Sequence, residues 1–317
     1  MLDLIIIGGS AAATTAGIYA ARRGLNFKIV TKDFGGEVAT SGEIGNWPGV
    51  IHTDGLTLTE QFKAHLASYN VTPEEGVLVS LITKQADETF CISVKKDSRS
   101  DLKESSQGPT LDCDYTAKAV IIATGVHPEE LSVPGEKEFR NKGVTYCTTC
   151  DGPLFAGKIT TVVGAGNSAL EAALMLSDIA SRVYILNKHP QFRGDQVLID
   201  FVESKKNVEI IYDAMTSEIV GEQFVTGIKY KKNDKQEELK TDGVFIHIGM
   251  IPNSGLVPAE VAKNKAGEII VDANCATNVP GLFAAGDVTS VSFNQIIIAA
   301  GQGCIAALSA VQYLNRR

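Results

Sequence analysis

The amino-acid sequence predicts an α/β fold with two Rossmann-like dinucleotide-binding domains. Two glycine-containing turns, at residues 8–13 and 164–169, each follow a short apolar run and precede a helical pattern and another apolar run. The length of 317 residues also exceeds the size at which one hydrophobic core usually stops growing. An internal duplication of one nucleotide-binding unit is the simplest account of this pattern.

The first unit begins with residues 4–7, whose unbroken apolar character is typical of a strand buried on both faces of a parallel sheet. The turn at residues 8–13 opens a helix of small residues that runs to about residue 23, and residues 27–30 form the next predicted strand. The amide groups of such a turn and the dipole of the following helix both favour a pyrophosphate. This unit therefore predicts a dinucleotide site.

The second unit repeats this order. It has a strand at residues 159–163, the turn at 164–166, a helix through about residue 177 and a strand at 183–186. One such glycine pattern is weak evidence, whereas two in matching contexts are much harder to obtain by chance.

The remaining segments complete the two predicted domains. Residues 91–117 are polar and rich in turn formers, which favours a β-hairpin excursion, and residues 119–125 and 243–249 are apolar strands that each end at a glycine. Residues 277–287 form a further strand that ends in Gly286-Asp287. A last helix, over about residues 295–314, is apolar or small on most faces. It must therefore pack against another part of the protein.

Cys147 and Cys150, followed at once by Asp151, are the most informative residues of the chain. Two thiols separated by two residues can close a disulfide, and each lowers the effective pKa of the other, so the pair can alternate between oxidised and reduced forms. Zinc is the competing interpretation. A structural zinc site requires four Cys or His ligands in paired spacings, and the sequence has no second C-x-x-C and no H-x3-5-H.

The composition excludes several other classes of protein. A formal net charge of −8, with no Lys/Arg run longer than two residues, argues against a nucleic-acid surface. The N-terminal apolar run lacks the basic flank of a signal peptide, and no apolar stretch approaches the roughly 20 residues of a spanning helix. We therefore expect a cytoplasmic protein without a membrane partner. Six cysteines are too few for a disulfide scaffold, and we expect four of them to be buried as isolated small apolar residues: Cys91, Cys113, Cys275 and Cys304.

Taken together, the motifs resemble those of the low-molecular-weight thioredoxin reductases over nearly the whole chain. The resemblance is carried by residues 8–13, Asn46-Trp47-Pro48-Gly49, Ala123-Thr124-Gly125, Cys147-Thr-Thr-Cys-Asp151, the second glycine turn and residues 277–287. The chain is also similar to the C-terminal part of the alkyl hydroperoxide reductase flavoprotein subunit, through residues 150–155 and Asn167-Ser168. Both belong to the FAD/NAD(P)-linked disulfide reductase type.

The resemblance implies a homodimer whose chain has a discontinuous FAD-binding domain, residues 1–116 and 254–317. It also implies an inserted NAD(P)H-binding domain, residues 120–250, that carries the cysteine pair and rotates about hinges near 116–120 and 249–254. Such a rotation is required because the thiols must meet the flavin in one state and a protein partner in another.

Site residues follow from the resemblance by position. It assigns FAD to Gly8, Ser10, Ala13, Gly35, Gly36, Glu37, Asn46, Thr124, Gly125, Gly286, Asp287 and Gln295. It assigns NAD(P)H to Gly164, Gly166, Asn167, Ser168, Ala169, Lys188, His189 and Arg193. Cys150 would face the flavin, Cys147 would attack the partner disulfide, and Asp151 would move a proton to or from a departing thiolate. No metal is implied.

Three departures from the family pattern affect these assignments. Ser10 replaces the second glycine of the first fingerprint, where a side chain obstructs the approach of the backbone to a pyrophosphate. The acid expected about 20 residues beyond each turn is replaced by Thr31 and Asn187. Where the family has a His-Arg-Arg run and a further Arg that hold the 2′-phosphate of NADPH, this chain has Asn187-Lys188-His189 and Arg193. We therefore expect both nucleotides to be used, with NADPH favoured modestly.

Three alternatives to a thioredoxin reductase remain open. One is a reductase that serves a peroxiredoxin, although the extra N-terminal redox domains of that flavoprotein are absent from this sequence. A ferredoxin-driven thioredoxin reductase is another, but the retained second glycine turn argues against it. The third is a flavin-bound redox sensor without turnover. Among the scattered histidines, we expect His127 and His247 to serve a turn and packing rather than proton transfer.

Overall fold

The structure is a computed structural model that describes residues 1–41, 43–95 and 113–316. Most of the predicted hairpin excursion, residues 96–112, therefore lies outside the described residues. The protein has the predicted α/β fold. It divides into two compact units, the first comprising Met1–Thr40, Trp47–His127 and Ile251–Arg317, and the second comprising Ser41–Asn46 and Pro128–Met250.

The elements of the two units have the following bounds in chain order. The strands of the first half are β1 (Leu2–Ile7), β2 (Phe27–Val30), β3 (Glu43–Ile44), β4 (Thr53–Asp54), β5 (Val79–Lys84), β6 (Phe90–Val94), β7 (Tyr115–Ile122), β8 (Val126–Pro128) and β9 (Val144–Thr145). Those of the second half are β10 (Ile159–Val163), β11 (Arg182–Leu186), β12 (Val208–Ile211), β13 (Met215–Gly221), β14 (Val225–Lys232), β15 (Lys235–Lys240), β16 (Gly243–Ile246), β17 (Met250–Pro252) and β18 (Leu282–Ala284). The α-helices are α1 (Ala11–Arg22), α2 (Gly55–Ala67), α3 (Thr148–Asp151), α4 (Asn167–Ser177), α5 (Gln196–Ser204) and α6 (Ile296–Leu314), and a 3-10 turn covers Gly152–Phe155.

The first unit is built on a six-stranded sheet in the order β2-β1-β7-β6-β5, with β18 paired to β7. β1 is parallel to both of its neighbours, and its last four residues are buried, as the unbroken apolar run predicts. The apolar C-terminal helix α6 packs against α1. Their backbones approach so closely that a Cβ on Gly303 would lie 2.1 Å from the carbonyl oxygen of Ala12.

The second unit repeats the parallel arrangement in a five-stranded sheet, β12-β11-β10-β16-β9. All four pairings in this sheet are parallel. A separate antiparallel sheet, β13-β14-β15, follows β12 in the chain. Because the strands of the five-stranded sheet run in one direction, the segments that follow β9, β16 and β10 all leave from the same edge. The candidate site of this unit lies at that edge.

The division between the units differs from the boundaries predicted from the sequence. The chain leaves the first unit after His127 and returns at Ile251, whereas the sequence placed the first boundary at residues 116–120. The reason is that β7 pairs with β1 and β18 as far as Ile122 and so belongs to the first sheet. Residues 41–46 also group with the second unit. The two crossings coincide with β8 and β17, which pair with each other.

Two of the cysteines expected to be isolated are instead bonded to each other. Cys91 on β6 and Cys113, just before β7, form a disulfide with a Cα–Cα distance of 5.4 Å. The antiparallel pairing of β6 and β7 explains the proximity, because it sets Cys91 opposite Thr116. Cys275 and Cys304 are free, as expected, and only Cys275 is fully buried.

Helix α6 corrects the expectation that no apolar stretch of the chain approaches the length of a membrane span. With 19 residues and a mean hydropathy of 1.5, it meets the length and composition of a membrane span, and it alone does so among the described residues. Core helices of globular proteins meet the same criteria. The packing of α6 against α1 accounts for its small buried residues, such as Gly303 and Ala306.

Candidate active site

The disulfide predicted from the sequence is present. Cys147 and Cys150 are bonded, with a Cα–Cα distance of 5.4 Å, and α3 begins directly after Cys147. The backbone N–H of Cys150 donates to the sulfur of Cys147 at 3.2 Å. A donor directed at this sulfur favours the charged form of the thiol once the disulfide is reduced. Both cysteines are partly exposed, so a reagent can reach them.

Asp151 is held on the same turn as the disulfide. The hydroxyl of Thr145, the last residue of β9, donates a hydrogen bond to Oδ2 of Asp151. The same hydroxyl oxygen accepts the backbone N–H of Cys147 at 3.2 Å. The buried Thr145 thus fixes both the Asp151 carboxylate and the start of the turn that carries the cysteine pair, residues 147–151, called the redox turn below. This arrangement fits the proton-transfer role that the resemblance implies for Asp151.

A buried carboxylate supports the residue before the first cysteine. Glu136 is 1% exposed and accepts the hydroxyl of Tyr146 at 2.9 Å. It also accepts the backbone N–H groups of Leu131 and Ser132 at 2.8 and 2.7 Å, so its charge is well compensated. Burial, followed by the hydrogen bond to Glu136, raises the pKa of Tyr146. Tyr146 therefore remains a neutral hydrogen-bond donor throughout the physiological range.

His247 supports Thr148, the residue that follows Cys147. Nε2 of His247 lies 2.7 Å from Oγ1 of Thr148, the first residue of α3. Burial lowers the pKa of His247 to about 4, so the imidazole is neutral near pH 7. The sequence predicted a packing role for His247, and the structure shows that this histidine also has a polar partner. The other histidine, His127, approaches Oδ1 of Asn253 with Nδ1 at 2.8 Å in the first unit.

The second glycine turn lies at the end of β10 and opens α4. A Cβ on Gly164 would lie 2.3 Å from the carbonyl oxygen of His247 and 2.7 Å from the Cβ of Ala169. A side chain is therefore excluded at Gly164, and the small Ala169 allows the helix to pack closely on the strand. Gly166 is the N-cap of α4. The N–H groups of the first turn of a helix have no intrahelical acceptors and form an anion site.

Of the polar residues assigned to this turn, Asn167 already has partners in the protein. Its Nδ2 donates to Oδ2 of Asp195 at 2.9 Å, and its Oδ1 accepts the N–H of Asp195 at 2.8 Å. This pair joins the start of α4 to the N-cap of α5. Ser168, in contrast, is exposed on the first turn of α4.

Three basic residues, Lys188, His189 and Arg193, follow β11, and Arg193 contacts the same turn. The backbone N–H of Arg193 donates to the carbonyl of Ala165 at 2.8 Å, and its guanidinium lies 3.4 Å from Nδ1 of His189. Desolvation and then the charges of Arg193 and Lys188 lower the pKa of His189. At neutral pH the local positive charge therefore comes from Lys188 and Arg193.

Asn187, where the sequence lacks the expected acid, has a structural role. It is fully buried; its Nδ2 donates to the carbonyl of Gln191 at 3.1 Å, and its Oδ1 accepts the N–H of His189 at 2.8 Å. The side chain closes the loop that carries the basic residues. It is therefore already bonded within the protein, and no carboxylate stands at this position to repel a phosphate.

The first glycine turn has the same construction in the first unit. A Cβ on Gly8 would lie 2.1 Å from the carbonyl oxygen of Ala123, so only glycine fits between β1 and the end of β7. Ser10 is the N-cap of α1, and its side chain makes no capping hydrogen bond. Ala13 is fully buried in the helix. The open end of α1 thus presents backbone donors, with the hydroxyl of Ser10 beside them.

A neighbouring loop brings two further assigned glycines to this turn. The N–H of Gly35 donates to the carbonyl of Gly9 at 2.7 Å. A Cβ on Gly36 would lie 3.4 Å from the Cβ of Ser10. These contacts place the loop after β2 beside the start of α1.

Asp287 is the residue of this unit whose surroundings best fit a ligand hydroxyl. Burial, and secondarily the charge of Glu37, raises its pKa to about 6. Its Oδ1 is buried and has no hydrogen-bond partner among the described residues. The adjacent Gly286 is held by its N–H, which donates to Oε1 of Gln302 at 2.7 Å. An unsatisfied buried oxygen costs about 1–3 kcal/mol, so a hydroxyl-bearing ligand would be stabilising here.

The remaining residues assigned to FAD lie in other segments of the chain. Thr124 donates to the carbonyl of Asn253 at 2.8 Å, and Gly125 accepts the N–H of Asn253 at 3.0 Å, so both join the returning chain. Gln295 is the N-cap of α6. Asn46 belongs to the stretch that groups with the second unit.

Two residues that support the site, Thr145 and His247, were not predicted from the sequence. Thr145 is six residues from Asp151, and His247 is 99 residues from Thr148. Neither spacing belongs to a known motif. The only available signal for His247 was a polar residue inside an apolar segment. Among the described residues, no group of three or more His, Cys, Asp or Glu side chains forms a metal site.

Comparisons with known proteins agree with this geometry. A family model described as pyridine nucleotide-disulphide oxidoreductase matches residues 2–303. An alkyl hydroperoxide reductase component of Escherichia coli (strain K12) is 39% identical over 99% of this chain and 58% of its own length. An NADH dehydrogenase of Bacillus subtilis (strain 168) is 39% identical over 99% and 59%. The crystal structure of thioredoxin reductase from Streptococcus pyogenes MGAS5005 is 33% identical and covers 100% of this chain and 99% of its own, with a TM-score of 0.88.

Proposed function

This chain belongs to the pyridine nucleotide-disulphide oxidoreductase family, and on that premise we propose that it is a thioredoxin-reductase-like flavoenzyme. It would pass two electrons from NAD(P)H, by way of FAD and the Cys147–Cys150 disulfide, to a disulfide of thioredoxin or a similar protein. The likeness to the Streptococcus thioredoxin reductase over nearly the whole of both chains supports this activity.

The residues of the first unit fit FAD. The start of α1 offers backbone donors for a pyrophosphate, at a turn where Gly8 admits no side chain. Asp287 offers an unsatisfied buried oxygen to a ribityl hydroxyl. Bound FAD would supply the carrier that accepts a hydride from the nicotinamide and hands two electrons to a disulfide. The protein supplies the binding, the orientation and the exclusion of competing reactions.

The second unit fits a nicotinamide nucleotide. The N-terminus of α4 repeats the anion site, and the loop that carries Lys188 and Arg193 contacts the preceding turn through the backbone of Arg193. We propose that NADPH and NADH both serve, with NADPH favoured modestly. Two cations attract the 2′-phosphate, and no carboxylate at Asn187 repels it. The retention of this turn and its cations favours a nucleotide over ferredoxin as the electron donor.

The cysteine pair carries the proposed thiol chemistry. Once the pair is reduced, the Cys147 thiolate attacks one sulfur of the partner disulfide, forming a mixed disulfide and releasing a partner thiolate. Asp151 delivers a proton to that leaving group. Asp151, now deprotonated, takes the proton of the Cys150 thiol, and the resulting thiolate attacks the sulfur of Cys147. This restores the internal disulfide and releases the second partner thiolate, which receives that proton from Asp151. The partner gains two electrons and two protons in total.

One observation carries the proposal: the cysteine pair and a dinucleotide turn lie at the same edge of one sheet. The pair follows β9, the turn follows β10, and only β16 lies between these strands. Parallel strands are about 4.8 Å apart, so the two sites are separated by about 10 Å along the edge. A redox-active disulfide beside a nucleotide site is the arrangement that a nucleotide-dependent disulfide reductase needs.

The test is steady-state oxidation of NADPH and NADH by purified protein with thioredoxin as the substrate. We expect turnover that requires both cysteines, so Cys147→Ser and Cys150→Ser are the inactive controls and Cys304→Ser is the matched active one. Flavin-loaded protein that oxidises neither nucleotide with any disulfide protein would overturn the proposal. Reduced ferredoxin, supplied in the same assay, tests the ferredoxin-driven alternative.

A reductase that serves a peroxiredoxin is the second candidate function. It is favoured by the 39% identity to the alkyl hydroperoxide reductase component of Escherichia coli, although this chain spans only 58% of that relative's length. The same assay with a peroxiredoxin and a peroxide distinguishes the two candidates. Turnover with peroxiredoxin alone, in the absence of thioredoxin, would favour it.

The assembly and location of the enzyme belong to the same proposal. We propose that the enzyme is a homodimer, as the resemblance implies, and that it is cytoplasmic. Light scattering of the flavin-loaded protein at micromolar concentration tests the dimer directly.

A further inference from the structure

The redox turn rests on one face of β16. Side chains alternate between the faces of a strand, so residues 243 and 245 point in the same direction, and residue 247 follows the end of the strand. The ring of Phe155, which ends the 3-10 turn after α3, occupies the space that Gly243 leaves open, since a Cβ there would lie 2.2 Å from the ring. Phe155 also packs edge-on against Phe245, with 5.1 Å between ring centroids. β16 thus supports the segment that follows the cysteine pair.

His247 directly follows β16 and supports the other end of the turn. Its Nε2 lies 2.7 Å from Oγ1 of Thr148. The backbone of His247 cannot easily shift, because its N–H donates to the carbonyl of Val163 at 2.8 Å and its own carbonyl lies against Gly164. The imidazole is buried and, with its lowered pKa, neutral. It is therefore a fixed hydrogen-bond partner for α3.

The helix that His247 contacts depends on such support. α3 is a single turn of four residues, and a helix of this length is not stable by itself. Its geometry directs the N–H of Cys150 to the sulfur of Cys147 at 3.2 Å. A donor in this position lowers the pKa of the thiol.

We propose that His247 is a positioning residue for the redox pair, which holds Thr148 and thereby keeps the Cys150 amide on the sulfur of Cys147. The order of strands β10-β16-β9 places His247 between the glycine turn and the cysteines. The inference rests on the proposed function, because it takes Cys147 as the attacking thiol. It adds a residue to that site which acts through Thr148 and does not itself contact the reacting atoms.

The test measures the reactivity of Cys147 in flavin-loaded protein, without nucleotide or partner protein. Dithiothreitol first reduces the pair, forming its own cyclic disulfide and two thiols on the enzyme, and is then removed under argon. Iodoacetamide next alkylates the thiolate with loss of iodide, and mass spectrometry of the peptide that contains Cys147 gives the rate at each pH. The variants are His247→Phe, His247→Gln, Thr148→Val, and the double change of His247→Phe with Thr148→Val. Thr161→Val is the matched control, since this buried threonine on β10 has no partner for its hydroxyl among the described residues.

We expect His247→Phe and Thr148→Val each to raise the apparent pKa of Cys147 by about one unit, which slows alkylation about tenfold at a pH well below the wild-type pKa of this thiol. The double variant should show no further change, because both substitutions remove the same hydrogen bond. His247→Gln keeps a side-chain amide and should restore most of the rate, and Thr161→Val should match the wild type.

A wild-type alkylation profile in Thr148→Val would overturn the inference, as would additive effects in the double variant. Thr148→Val decides the matter if His247→Phe does not fold, because it removes a single hydroxyl and keeps the side-chain shape. Failure of the proposed function has a different signature. In that case wild-type protein would lack nucleotide-dependent turnover, whereas the alkylation profiles of His247→Phe and Thr148→Val would still differ from that of the wild type.

Discussion

The hydroxyl of Thr145 donates to the carboxylate of Asp151 across the turn that contains the disulfide. Asp151 is thereby fixed on the helical turn that carries Cys150. Its proposed task is to protonate the thiolate that leaves the partner disulfide. We predict that Asp151→Asn lowers kcat for thioredoxin reduction by about 100-fold, the lower end of the usual contribution of general acid–base catalysis. Flavin reduction by the nucleotide, followed by stopped flow, should be unchanged.

Thr145 provides the control for this prediction. Thr145→Val removes the hydrogen bond but leaves the carboxylate, so its effect should be smaller than that of Asp151→Asn. Thr145→Ser retains a hydroxyl and should be close to wild type. Equal activity of Asp151→Asn and wild type would assign the carboxylate to a purely structural role.

The two cysteines should differ in their effect on the flavin spectrum. Cys147→Ser leaves Cys150, which the resemblance places against the flavin, free to form a thiolate there. We predict long-wavelength charge-transfer absorbance in Cys147→Ser and none in Cys150→Ser. Both variants should lose disulfide reduction and keep nucleotide-dependent flavin reduction. A charge-transfer band in Cys150→Ser alone would reverse the assigned roles.

Sequence patterns located most of the parallel sheets because their strands are buried on both faces. The predicted strand at residues 159–163 coincides with β10, and the helix predicted to end near residue 177 ends at Ser177. The boundary between the units was less predictable. The last residues of β7 belong to an apolar stretch that the sequence alone could assign to either unit. The pairing of β7 with β1 and β18 shows that they belong to the first unit.

Polar contacts of the site depended on the fold and could not be predicted. The partners Thr148 and His247 are brought together because β16 and β9 are neighbours in the sheet. Similarly, the disulfide of Cys91 with Cys113 follows from the antiparallel register of β6 and β7. Motif spacing identifies residues that act within one turn. It carries no information on partners that strand order brings together.

FAD binding should reveal itself at Asp287. We predict that the purified protein is yellow, holds about one FAD per chain, and loses FAD more readily as Asp287→Asn, because an anionic acceptor for a hydroxyl is gone. A hydrogen bond to a charged group contributes about 1.5–3 kcal/mol, which corresponds to at least a tenfold weaker affinity. Equilibrium dialysis with FAD measures it. A colourless protein that does not gain flavin absorbance on addition of FAD would contradict the prediction.

The same substitution should stabilise the protein once FAD is removed. Burial raises the pKa of Asp287 from 3.8 to about 6, so folding disfavours its ionised form. The stability associated with the protonated group is complete below pH 3.8 and is lost as the pH rises through 6. We predict that Asp287→Asn increases the free energy of unfolding of the flavin-free protein by about 3 kcal/mol at pH 8 and by about half of that at pH 5. Urea unfolding at the two pH values measures the difference, and a gain independent of pH would contradict it.

The disulfide between Cys91 and Cys113 leads to a separate prediction. Protein purified without reductant and denatured should react with iodoacetamide at Cys275 and Cys304 only, since the other four cysteines are paired. Cys91→Ser should expose the thiol of Cys113. It should also lower the free energy of unfolding by about 3 kcal/mol, because the bond closes a loop across 22 residues. Cys304→Ser is the control, as it leaves both pairs intact. Alkylation of Cys91 and Cys113 in the unreduced wild type would contradict the prediction.

Nucleotide choice depends on the loop that Asn187 closes. Lys188 and Arg193 supply the positive charge for a 2′-phosphate, whereas His189 has a lowered pKa and contributes little charge at neutral pH. We therefore predict that NADPH and NADH both reduce the flavin and that kcat/KM favours NADPH by no more than about tenfold, or about 1.4 kcal/mol. The double variant Lys188→Ala with Arg193→Ala should remove this preference without loss of NADH activity. Lys205→Ala, which changes a lysine paired with Asp178 away from the loop, is the matched control. A strong preference for NADH would contradict the prediction, and reduction by neither nucleotide would favour ferredoxin as the donor.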